Sequence, residues 1–230
     1  MTRKKELNVD PSWKGLIKWG GFSLFFAGII IVFFIIGLGV FNVKLPLEPV
    51  QTLENPNIPT ILFLVTLFGE FLLFPGFLAL YFTLRNYDKV NMLMATVINA
   101  LSVIMFFVSR GLIFTMSKID NSFKEAVDSN KYVQVAEVVL KLQDVYSTIA
   151  LILLSTASIF IGIVILRSKF FNIIIGYIII FSGIFSIITP FAVNLGIPLV
   201  ISLIGLVLML IWQITVGIKL FILGNNLKIR

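Results

Sequence analysis

The chain has 230 residues, 59% of them hydrophobic and 13% charged, with a mean hydropathy of +1.06. Soluble domains are about half apolar and about a quarter charged, so these values exclude a soluble globular protein and place the chain in a bilayer. A net charge of +7 would suit nucleic acid, but the basic residues flank apolar runs instead of forming one patch, so membrane topology accounts for them and no nucleic-acid partner is expected.

In chain order, residues 1–18 form a basic interfacial N-terminus in which Arg3, Lys4, Lys5, Lys14 and Lys18 surround Trp13. Asp10 is placed to cap a short amphipathic lead-in, with Pro11 at its first helical position. A single transmembrane domain is expected over 19–222, with spans at 19–41, 60–84, 90–116, 145–166, 170–190 and 199–222. Each is long enough for the ~20 residues that cross a ~30 Å hydrocarbon core. The first run is too long for a signal peptide core and lacks a small-residue cleavage pattern, so it reads as an anchor.

The loop between spans 1 and 2 holds Pro46, Pro49, Pro56 and Pro59 and reads as extended. Pro75-Gly76 is expected to kink span 2. The hydrophilic segment 118–144 reads as an amphipathic outer helix pair. A capping-box pattern at Ser122 and Glu125 starts a short helix, a break falls at 128–130, and a second helix runs on into span 4. Residues 223–230 form a basic tail. Twelve of the eighteen Lys and Arg residues lie on the side of the termini and five on the other, which predicts cytoplasmic termini in a multi-pass protein of the cell membrane. The halves show no matching helix breaks, so no inverted transporter repeat is read.

The absence of Cys and His removes disulfides, thiolate chemistry, zinc sites and imidazole bases; no metal, cofactor or catalytic group is expected. Two charges stand inside the apolar runs, Glu70 in span 2 and Arg110 in span 3. They lie roughly 15 Å and 10 Å below the outer ends of antiparallel neighbours, which predicts that they pair. A lone charge at the centre of a spanning helix costs about 2.5–3.5 kcal/mol, and pairing removes much of that. Asn99 and Arg110 share a face of span 3 with Ser102 on its flank, and Glu70 shares a face of span 2 with Tyr81. Asp144, at the membrane border of span 4, is placed to approach Arg110 and compete with Glu70. These six residues are the candidate interior binding groups, and a packed, hydrogen-bonded bundle interior is the plainer account of them. Asn172 and Gln213 read as helix–helix hydrogen bonds.

The layout also carries a family likeness. Glu70, Leu80-Tyr81, an outer segment ending at Asp144, then Gly162 and the Arg167-Ser168-Lys169 turn before a glycine-containing span 5, resemble the prokaryotic integral membrane proteins grouped as domain of unknown function 4386. The likeness runs from about residue 15 to 222 and implies six helices and no known activity. This chain departs from the pattern in the inner half of span 3, where Asn91, Thr96 and Asn99 replace an expected basic and acidic residue. Two functions are carried forward. One is a non-enzymatic scaffold, subunit or lipid-interacting protein with a structural Glu70–Arg110 pair. The other is a small transporter or channel with a proton, anion or amphiphile path along that pair. Membrane lipids, and a second copy or partner membrane subunit, are the partners expected.

Overall fold

The computed structural model describes residues 10–41, 47–54, 57–125, 129–168, 170–191 and 199–227. Among them are seven α-helices: α1 (Lys14–Val40), α2 (Pro49–Glu54), α3 (Asn57–Leu84), α4 (Lys89–Glu125), α5 (Ser129–Ser168), α6 (Ile173–Ile188) and α7 (Leu199–Asn226). Six stretches are long and apolar enough to cross a membrane: Pro11–Val40, Asn57–Leu84, Lys89–Thr115, Asn130–Ser168, Ile173–Phe191 and Leu203–Asn226. The chain is a six-span, multi-pass membrane protein of all-helical fold, because in lipid a helix satisfies its own backbone hydrogen bonds.

Local chemistry sets the helix ends. Asp10 accepts from the Ser12 backbone N–H at 2.9 Å and opens a 3-10 turn, Pro11–Trp13, that leads into α1. Asp88 caps α4, accepting from the Asn91 backbone N–H at 3.1 Å and from its amide at 2.7 Å. Among the described residues Asn172 makes no bond across helices, contrary to expectation. It is exposed and caps α6, accepting from the Ile174 N–H at 3.1 Å. An Asn with extended backbone just before an apolar helix offers an acceptor to the orphan first-turn donors, and this use prevails over an interhelical bond.

The loop expected to be extended contains α2, because Pro49 sits at its first position, where the missing N–H costs nothing, while the Glu48 carbonyl accepts from the Thr52 N–H at 3.0 Å. Pro46 and Pro56 lie outside the described residues, and Pro59 falls in the first turn of α3. Nor does Ser122 begin a helix: α4 continues through it to Glu125, since no Gly or Pro interrupts 112–125. Ser and Glu three residues apart fit a helix interior as well as a cap. Of the expected break, residue 128 lies outside the described residues, whereas Ser129 and Asn130 are helical in α5.

The spans form a closed ring in chain order: α1 packs on α3, α3 on α4, α4 on α5, α5 on α6, α6 on α7, and α7 back on α1. Glycines let the backbones approach. A side chain at Gly217 would meet the Phe25 backbone nitrogen at 2.6 Å, and one at Gly162 the Gly176 carbonyl at 2.9 Å. Leu24, Leu73, Phe77, Leu80, Ile161 and Trp212 are buried in the middle, with the Phe77 and Trp212 rings edge to face at 6.3 Å.

On the side of the termini, Arg167 reaches Asp88 at 2.6 Å and ties two turns together. Lys219 donates to the Phe170 carbonyl at 2.6 Å across the Phe170 and Phe171 rings. On the far side, α2 is pressed into a second apolar cluster through fully buried Leu53, with Phe63, Ile113, Ala136 and Leu140.

Candidate functional site

Arg110 Nη2 donates to Glu70 Oε1 at 2.6 Å, and the two side chains are 9% and 12% exposed. Helix geometry brings them together. Side chains lean toward the N-terminus of their own helix, and α3 and α4 are antiparallel, so Glu70 leans to the far side and Arg110 back toward the middle. The guanidinium also stacks over the Phe63 ring at 4.8 Å and lies 5.4 Å from the Phe106 ring. Two apolar faces and one carboxylate thus surround a planar cation, a packing that suits Arg better than Lys. Glu70 Oε2 and Arg110 Nε are buried without a hydrogen-bond partner among the described residues.

Beside the pair lies a cavity of about 220 Å³ lined by Phe34, Leu47, Phe63, Arg110, Gln143, Asp144 and Ser147. Gln143 is buried and held in place, its Nε2 donating to Ser109 Oγ at 3.3 Å while its carbonyl accepts from the same hydroxyl at 3.1 Å. Asp144 is exposed and makes no ion pair among the described residues. Lys141, three residues earlier, is turned to Glu137 at 2.7 Å. Counting 24 residues from Ser168 back to Asp144 places that carboxylate about 36 Å along α5, and Arg110 stands about 32 Å along α4 from Lys89. Measured from those helix ends, a ~30 Å hydrocarbon core contains Glu70, about 21 Å along α3 from Leu84, and ends short of Asp144, so the cavity spans the far-side border.

Of the six residues singled out from sequence, Glu70 and Arg110 meet, and Asp144 shares the cavity with Arg110 without bonding to it. Ser102 donates to the Ala150 carbonyl at 2.7 Å and joins α4 to α5. Asn99 is fully buried with neither amide atom bonded among the described residues. Tyr81 stays apart near the turn at the termini, where it meets Phe82 at 5.2 Å and Arg85 at 6.0 Å. Eleven residues of helix, about 16 Å, separate it from Glu70. Gln213, expected in a helix–helix bond, is fully buried with both amide atoms unbonded among the described residues, because it faces Gly28 and the Ile214 side chain stands beside it. Phe34, Phe63, Gln143 and Ser147 were missed. Only Gln143, polar and next to Asp144 at a span end, carried a signal.

A ring of six apolar helices enclosing an ion pair defines an integral membrane protein with a polar interior locus. Within that class, the model of the domain of unknown function DUF4386 matches residues 24–224, and the chain belongs to this family. No curated protein and no solved structure matches it.

Proposed function

We propose that this is a non-enzymatic membrane protein of scaffold or lipid-interacting type, with cytoplasmic termini, in which the Glu70–Arg110 pair clamps α3 to α4 beneath the α2 plug. The carrying observation is the pair itself, a bidirectional fit of two leaning side chains enclosed by Phe63 and Phe106. Fully buried Leu73, Phe77, Leu80 and Trp212 pack the ring's middle, and Glu70 is not among the residues lining the cavity. Both facts favour a fixed clamp over a conducting path. The skew of Lys and Arg toward the side of the termini supports the orientation.

Breaking a buried pair by removing one partner costs about 3–5 kcal/mol, because it strands the other charge. The test is the exchange Glu70→Arg with Arg110→Glu, set against each single change, read as resistance to unfolding in detergent. Both single variants should lose most of their folded fraction and the double variant should recover a substantial part of it. A double variant no better than the singles would overturn the clamp.

A further inference from the structure

We propose that the far-side cavity is a binding site for an amphiphile with an ammonium head. The local charges choose the sign of the ligand. Arg110 is already met by Glu70 at 2.6 Å, while Asp144 on the same cavity meets no cation among the described residues, so Glu70, Arg110 and Asp144 together leave one negative charge in excess. Lys141 does not cancel it, being engaged with Glu137 at 2.7 Å.

The rest of the lining suits the same head group. Gln143 and Ser147 supply neutral polar atoms, and Phe34, whose ring lies 5.7 Å from the Arg110-covered ring of Phe63, supplies aromatic surface that attracts organic cations. Phe34 and Leu47 continue the wall as apolar surface for a chain. The height of the site selects an amphiphile over a small soluble amine, since Asp144 stands about 36 Å along α5, at the level of the headgroups, with alkyl tails directly below. A cavity of about 220 Å³ holds the head and first carbons, and the tail leaves toward the lipid.

The ammonium can come from an aminophospholipid headgroup or from a free long-chain amine, and the experiment separates them. The full chain, delipidated in maltoside micelles, is titrated with dilauroylphosphatidylethanolamine, dodecylammonium and dilauroylphosphatidylglycerol, and adducts are counted by native mass spectrometry. One saturable adduct is expected with an ammonium amphiphile. Asp144→Asn should weaken it about tenfold or more, in line with a charge-assisted hydrogen bond, and Asp144→Glu should largely retain it. Ser147→Phe, which fills the cavity and leaves the charge, should abolish it.

Binding of the lipid alone identifies the headgroup as the source, binding of dodecylammonium alone identifies a free amine, and binding of both identifies the shared chemistry. Failure of both, tighter binding of the phosphatidylglycerol, or an Asp144→Asn affinity equal to wild type would overturn the proposal. The readout is independent of the charge-exchange test, because Asp144 takes no part in the clamp.

Discussion

The seam between α1 and α7 closes the ring, and Gly217→Ala tests whether that closure depends on backbone contact. A methyl at Gly217 would lie 2.6 Å from the Phe25 nitrogen, 2.8 Å from the Gly21 carbonyl oxygen and 3.0 Å from the Phe25 Cα. The optimum for such contacts is about 3.5–4.0 Å, so the two helices must part by roughly 1 Å, and no flexible side chain is there to give way. Overpacking of this kind costs about 1–3 kcal/mol. Ala also favours a helix over Gly by about 1 kcal/mol, which would mask part of the loss. Gly111→Ala supplies the control, because a methyl at Gly111 has nothing within 4 Å and carries the same propensity gain. The difference between the two variants should be about 1–3 kcal/mol. Unfolding in mixed dodecyl sulfate micelles, followed by fluorescence that includes the buried Trp212, measures it. Equal midpoints for Gly217→Ala and Gly111→Ala would refute the account of the seam.

The α4–α5 seam depends on polar bonds instead: Ser109→Ala removes both the donor to the Gln143 carbonyl and the acceptor for its amide. The expected loss is about 1 kcal/mol in the same unfolding assay, from two interhelical bonds at the membrane average of about 0.6 kcal/mol each. At the termini, Asp88→Ala should cost about 1 kcal/mol at neutral pH through the lost cap. The Asn91 backbone N–H, joined by the Asn91 amide and Arg167 and opposed by slight burial, holds the Asp88 carboxyl below the usual range. Its contribution is therefore full above the unfolded carboxyl value of about 3.9 and is lost as pH falls through the lower folded value. The stability gap between wild type and Asp88→Ala, followed by thermal melts from pH 7 downward, should close only below about pH 4. A gap that closes already near pH 6 would assign the effect to another group.

What could be read from the chain alone follows the strength of the physical signal. Six runs of about 20 apolar residues are unambiguous in a bilayer, since at that length a helix satisfies the backbone of each run by itself, and all six reappear as spans. Glu70 and Arg110 were legible for the same reason, a charge in oil being conspicuous and antiparallel neighbours constraining its depth. Phe34, Leu47 and Ser147 were not, because an apolar residue looks the same whether it meets lipid or a cavity wall, and a lone Ser in a span reads as a helix–helix contact. Asn172 and Gln213 show the limit from the other side. Each is a lone polar residue in an apolar setting, yet one caps a helix and the other is enclosed, and only the position of the helix start distinguishes them. The ring closure was invisible, because Gly21 and Gly217 are nearly two hundred residues apart and glycine pairs carry no address.

The three kinds of closure divide the work of the ring by depth. Where the helices meet solvent beside the termini, the two turns are joined by an ion pair, Asp88 to Arg167, whose Arg is 62% exposed and therefore weakly stabilising. In the middle, contacts such as Gly183 on the Ser155 carbonyl add only dispersion, which is the attraction that remains when lipid tails are as apolar as the protein. On the far side a short plug, α2, takes the place of close backbone packing, and there the ring opens enough to hold a cavity. A charge pair is tolerated at that level because Phe63 and Phe106 enclose the guanidinium while Glu70 neutralises it. Asp144, which makes no ion pair among the described residues, is tolerated because it is exposed beyond the apolar part of its span. The buried charges among the described residues thus lie where the ring opens to a cavity, which is the physical reason to look for a ligand at that end of the ring.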